Sequence, residues 1–192
     1  MTNSKTHAGG RKILVAYYSL SGNTARVARD IAARVGADIE SIQDPGHGVG
    51  FFGYLKDSLD ALRSIPAKIG PLAKNPADYA LTIVGTPVWA GRLTPAVRSY
   101  LKQTQGRLGK VAFFVTSGNT GVEKIVPSIE LLADTRLIAS AGFNARELSE
   151  RGAYDEKLTA FLYEIDGRYA APDGAAGFRR VEGVHESHAV FP

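Results

Sequence analysis

The chain has 192 residues, 44% hydrophobic and 22% charged, the length and composition of one globular domain able to bury a substantial core. It contains no cysteine, which excludes disulfides, thiolate nucleophiles and cysteine-held metal clusters, so any redox chemistry has to come from a bound cofactor. Charge is uneven: residues 1–110 hold 15 Lys/Arg against 7 Asp/Glu while 111–192 hold 8 against 12, and the sequence pI is near 9.3. That imbalance reads either as solvated helix faces or as a basic surface that steers an acidic partner or an anionic substrate.

Met1 to Gly10 is polar throughout, with no signal peptide, and is expected to be a disordered N-terminal segment ahead of a domain spanning 11–169. No stretch is long enough to span a bilayer, so a cytoplasmic location is expected. Lys12 to Tyr18 is a short apolar run without alternation, as in a parallel strand covered on both faces. It stops in the loop Ser19 to Thr24. Beyond it Ala25, Val27, Ala28, Ile31, Ala32 and Val35 recur at helical spacing and end at Gly36, a good C-terminal cap. The loop therefore lies where a strand feeds a helix N-terminus, whose backbone N–H groups and dipole favour an anion. It carries hydroxyl and amide side chains, one glycine and no Lys or Arg, and no G-x-x-x-x-G-K-[ST] occurs anywhere in the chain. A nucleoside triphosphate is thereby disfavoured, whereas a single terminal phosphate can be held by uncharged donors. The competing reading is an ordinary helix cap.

Asp38 to Ile42 alternates enough for a half-exposed edge strand. The loop Pro45 to Gly53 then contains a literal G-x-G-x-x-G at Gly48, Gly50 and Gly53, which is rejected as a dinucleotide fingerprint because five residues separate it from a weak strand. Tyr54, Leu55, Leu59 and Leu62 share one face of a second helix, and the connection from Ile65 is broken by Pro66, Gly70, Pro71 and Pro76. Tyr79 to Val84 is another buried strand, followed by a loop from Gly85 to Leu93, and Thr94-Pro95 opens the next helix as cap and first residue. The only tryptophan, Trp89, is expected to stand in that loop, where an indole can lie flat on an aromatic ligand; ordinary packing is the alternative. Val111 to Val115 forms the fourth strand, ahead of a helix with Ile125, Ile129 and Leu132 inward. Leu137 to Phe143 supplies the fifth strand, and Tyr154 to Tyr169 a helix with Leu158, Phe161, Leu162 and Ile165 on one face. Residues 170–192 are expected to be an extension. Five strands alternating with five helices give an α/β doubly wound five-stranded parallel sheet, order 2-1-3-4-5, with helices on both faces and a ligand crevice at the switch between strands 1 and 3.

Tyr18 to Thr24 resembles the phosphate loop of the flavodoxin family, [ST]-x-[ST]-G-x-T, matched at Ser19, Ser21, Gly22 and Thr24. Thr86 to Gly91 and Thr116 to Gly121 resemble the family's flavin-contacting loops, and the likeness covers roughly Arg11 to Tyr169, nearer the short-chain form. The resemblance implies flavin mononucleotide (FMN), bound without covalent attachment. It places FMN on Ser19, Leu20, Ser21, Gly22, Asn23 and Thr24, on Thr86, Pro87, Val88, Trp89, Ala90 and Gly91, and on Ser117, Gly118, Asn119 and Gly121, with no metal. Flavodoxins are typically acidic, so the basic pI departs from the family in what bears on the docking partner, not on the flavin.

Two functions follow from the resemblance: a carrier passing electrons to a redox partner protein, or an NAD(P)H-dependent quinone or azo reductase. The missing nicotinamide motif favours the carrier. A fold relative that has lost the flavin and serves as an interaction module is a third reading. A receiver domain would need an acidic pocket where this first strand ends in Tyr17-Tyr18-Ser19, and a serine hydrolase would need G-x-S-x-G. The histidines His7, His47, His185 and His188 lie in termini or the aromatic loop, and a metal clip from His185, Glu186 and His188 is less favoured than a solvated tail. Aromatics do not interleave with basic residues as nucleic-acid binding requires. Neither nucleic acid nor membrane is expected as a partner.

Overall fold

The computed structural model describes residues 12–45, 67–89, 91–118 and 121–169. The expected N-terminal segment, the aromatic loop, the second helix and the extension from 170 lie outside the described residues. The strands are β1 (Ile13–Tyr17), β2 (Asp38–Ser41), β3 (Leu81–Trp89), β4 (Arg92–Leu93), β5 (Lys110–Ser117) and β6 (Leu137–Asn144). The helices are α1 (Asn23–Val35), α2 (Pro95–Thr104), α3 (Val126–Ala133), α4 (Ala145–Ser149) and α5 (Arg151–Tyr169). All pairings along the path β2-β1-β3-β5-β6 are parallel, which is the expected 2-1-3-4-5 order. The addition is β4, a two-residue strand folded back antiparallel on the end of β3.

Each central strand is apolar on both sides because each side meets a helix layer. Ile13 and Val15 pack with Val27, Ile31, Leu158 and Ile165 of α1 and α5. Leu14 and Ala16 face the other way, toward Val97, Leu101 and Ile129 of α2 and α3. Complete burial of a Leu, Ile or Val is worth roughly 1.5–3 kcal/mol, so these alternating contacts are the main reason the unbroken apolar runs settle in the middle of the sheet. Helix α1 ends where expected: Gly36 has φ 65°, in the left-handed region, and its N–H donates to the Ala32 carbonyl.

β2 is the half-exposed edge strand that was expected, while the last helical region departs from expectation. On β2 the polar residue turns inward: Glu40 is 6% exposed while Ile39 is 40% exposed. The Glu40 carboxylate accepts the backbone N–H groups of Ala73 (2.6 Å) and Lys74 (3.1 Å), and these two bonds offset its desolvation. The last helical region also begins earlier than Tyr154. Asn144 Oδ1 accepts from Glu147 N, and Glu147 Oε2 accepts from Asn144 N, a reciprocal cap that starts α4. Burial pushes the Glu147 carboxyl up, but the Lys157 ammonium at 2.7 Å and the Asn144 N–H outweigh it and hold it below its ordinary value.

Candidate functional site

The three loops singled out by sequence leave the sheet at the same end. Register places Tyr17 beside Gly85, Gly85 beside Phe114, and Pro87 beside Thr116, so the ends of β1, β3 and β5 stand in adjacent columns. The first loop is tied to this frame by Tyr18 N–H donating to the Gly85 carbonyl at 3.0 Å. Crossovers in opposite directions from β1 and β3 leave a crevice here, the usual ligand position in an open parallel sheet.

At the first loop, Gly22 immediately precedes α1 with φ 91°, a conformation that only glycine adopts without strain. A Cβ on Gly22 would meet nothing within 4 Å, so the backbone angle, not space, calls for glycine. The N-cap residue is this glycine, so it brings no capping side chain of its own. Among the described residues the loop hydroxyls make no hydrogen bond to the first N–H groups of the helix. Ser19 Oγ is buried and, among the described residues, has no hydrogen-bond partner, a cost that a protein normally avoids unless something else fills the place. Leu20, at 40% exposed, and the solvent-exposed Ser21, Gly22 and Asn23 form the outer rim. Thr24 points the other way. It is 1% exposed, and its Oγ1 lies 2.8 Å from Thr116 Oγ1 on β5, joining the first and third loops by a buried hydroxyl pair.

The second loop differs from expectation. Pro87, Val88 and Trp89 continue β3, and Trp89 already pairs with Arg92 of β4, with Gly91 at φ 73°. Trp89 pairs with Arg92 across this hairpin and is 6% exposed, with its ring edge-on to Tyr18 at 6.0 Å. The indole thus belongs to the α2-side core and does not stand free in a loop. Thr86 and Thr94 share a 2.9 Å hydroxyl contact, which fixes the start of α2 against the base of the hairpin; Thr94 precedes Pro95 as predicted, but spends its hydroxyl here and not on capping. In the third loop Ser117 ends β5 and Gly121 leads into a 3-10 turn over Val122–Lys124, while Asn119, like Ala90 in the second loop, lies outside the described residues.

A cleft of about 350 Å³ opens beside the third loop, rimmed by Ser117, Gly121, Asn144 and Lys157, which sequence reasoning did not connect to the site. A larger groove of about 620 Å³ runs between α1 and α5. Three contacts run across it: Tyr154 donates to Asp30 (2.6 Å), Arg34 to Asp155 (2.6 Å), and Arg26 lies 4.7 Å over the Tyr154 ring. These bonds fasten α1 to α5 across the layer.

No family model matches the chain. Solved structures do. A flavoprotein from Lactobacillus acidophilus in complex with FMN is 23% identical, with 73% of this chain and 98% of that chain covered and a TM-score of 0.61. A protein from Bacteroides eggerthii classed as a flavoprotein is 20% identical, covering 79% of this chain and 98% of that one at a TM-score of 0.63. An NADH:FMN oxidoreductase in its apo form is 13% identical, covering 84% and 91% at a TM-score of 0.50. The chain has the flavodoxin-like fold. Among the described residues no helix is long and apolar enough to cross a membrane.

Proposed function

We propose that the protein binds FMN at the crevice formed by the ends of β1, β3 and β5 and acts in electron transfer. The observation that carries this reading is the first loop: a helix N-terminus that begins at a left-handed glycine with no capping side chain of its own, and a buried Ser19 hydroxyl without a partner among the described residues, all at one point. That donor set fits a phosphate monoester, which needs several uncharged donors and a positive dipole end. Ser19, Ser21, Asn23 and the first N–H groups of α1 would hold the phosphate. Thr24 would act through Thr116, keeping the helix start in place. The β3–β4 hairpin and the Ser117–Gly121 loop would flank the ring. When bound, FMN supplies the one- and two-electron chemistry that a cysteine-free chain lacks, and the protein tunes its potential through polarity and nearby hydrogen bonds. The likeness to an FMN-complexed flavoprotein supports the choice of flavin.

A second reading, a NAD(P)H-dependent FMN reductase acting on quinones or azo compounds, is favoured by the likeness to an NADH:FMN oxidoreductase. Stopped-flow mixing with NADPH separates the two. A carrier is expected to be reduced slowly or not at all by NADPH alone. Rapid bleaching of the flavin followed by turnover with a quinone would establish the reductase instead.

FMN added to apoprotein is also expected to quench Trp89 emission, which is readily measured because it is the only tryptophan. Unchanged emission at saturation would put the bound ring away from the β3–β4 hairpin.

A further inference from the structure

Thr116 opens the motif of the third loop, yet its side chain serves the first. It follows Phe114 by two residues, so both share the face of β5 that looks toward α1, where Phe114 joins the core layer of Val27 and Ile31. On that face β3 carries Gly85 beside Phe114 and Pro87 beside Thr116. Gly85 has no side chain, and the Phe114 ring occupies the space that one would fill. The start of α1 can therefore lie across the β3 column. Thr24, the second residue of that helix, brings its Oγ1 to 2.8 Å from Thr116 Oγ1.

Both residues are removed from water, Thr24 at 1% exposed and Thr116 at 5%. Such a pair holds its geometry closely, because removing one hydroxyl strips the other of this partner in a place that water does not reach. Two further ties lie near the start of α1. Tyr18 N–H donates to the Gly85 carbonyl, and the Arg26 guanidinium donates to the Leu148 carbonyl at 2.8 Å. Tyr18 precedes the loop, however, and the Arg26 side chain is about half exposed on a long stem. The short, buried Thr24 side chain fixes the first turn itself.

We infer that Thr116 is a positioning residue for a phosphate monoester, acting through Thr24: it sets where the first N–H groups of α1 stand relative to Ser19 and Ser21, and so discriminates between a phosphorylated ligand and its dephosphorylated form. That the ligand is FMN rests on the function proposed above. The strand whose Ser117–Gly121 loop is assigned there to the ring thus supports the opposite end of the ligand. The phosphate depends on this support more than the ring does. Uncharged donors are directional, and a phosphate held by N–H groups and hydroxyls loses several bonds at once when the helix start moves. A lysine could follow such a shift on its flexible stem, but the loop Ser19 to Thr24 contains neither lysine nor arginine.

The test is a fluorescence titration of the full chain, free of flavin, with FMN and with riboflavin, read as the ratio of the two affinities. Thr116→Val, which keeps the shape and removes the hydroxyl, is expected to lower FMN affinity about tenfold and riboflavin affinity by less than about twofold. Thr116→Ser, which keeps the hydroxyl, is expected to hold the ratio within about twofold of the parent. Thr24→Val reaches the pair from its other side and is expected to shift the ratio as Thr116→Val does, which carries the test should the β5 variant not fold. Both changes together should cost little more than either alone, because they remove one shared interaction. Equal losses for the two flavins would mean a general loosening of the fold and would overturn the assignment, as would a loss that Thr116→Ser fails to restore. A parent that binds FMN and riboflavin equally, or neither, would sink the function proposed above and this assignment with it. A parent that discriminates, with Val variants that discriminate just as well, would sink this assignment alone.

Discussion

Riboflavin is expected to bind at least about a hundredfold more weakly than FMN. The two ligands differ only in the phosphate, and the first loop offers that group backbone N–H donors and hydroxyls without a lysine or arginine. Hydrogen bonds to a charged group contribute about 1.5–3 kcal/mol each, so two of them give roughly 3–6 kcal/mol, or about two to four decades of affinity. Ser19→Ala sharpens the comparison. Removing a buried hydroxyl that has no partner should leave the stability of the apoprotein unchanged or slightly raised, while FMN affinity falls by about tenfold and riboflavin affinity hardly moves. Isothermal titration of both flavins against both proteins measures all four affinities. Equal binding of the two flavins would remove the phosphate from the site.

The largest expected effect on folding comes from Gly85. This residue lies mid-sheet on β3, between Tyr17 of β1 and Phe114 of β5, and a Cβ there would overlap three atoms of the Phe114 ring. Phe114 is wholly buried and set edge-on to Phe143, so it has little room to withdraw. Gly85→Ala is therefore expected to destabilise the protein by about 1–3 kcal/mol, and Gly85→Val by more. Denaturant midpoints would measure the loss. Phe114→Leu, itself destabilising, should recover part of it in the double variant, because the two changes share one volume and cannot add independently. A Gly85→Ala protein as stable as the parent would mean that the ring can shift without cost.

The order of the sheet and both core faces were readable because they are written in long, regular signals: unbroken apolar runs for β1, β3 and β5, and helical spacing for α1 and α5. The failures lie where a signal is short or where one contact overrides a pattern. Arg92–Leu93 is too brief to alternate, and Pro87 gave the end of β3 the look of a loop. Trp89 was consequently expected in the open, although the five strand residues Gly85–Trp89 carry it to an edge-on contact with Tyr18. That Glu40 is the inward residue of β2 was not legible, because the backbone N–H groups that satisfy its carboxylate lie more than thirty residues away. The Asn144-x-x-Glu147 cap was present in the sequence and could have located α4. Around the candidate crevice, the ends of β1 and β5 were legible, but the extension of β3 to Trp89 was not, and the engagement of Thr24 with Thr116 depends on a distant strand.

That hydroxyl pair also bears on when the site comes into being. Its members are 92 positions apart, so a nascent chain that has made β1 and α1 still lacks the partner for Thr24 until β5 has been synthesised and has entered the sheet beside β3. Contacts of such separation form late, after the entropy of closing the intervening chain has been met. The helix start that faces the crevice thus has one of its tertiary ties only once β5 stands in the sheet, which couples the first loop to the completion of the second half of the chain.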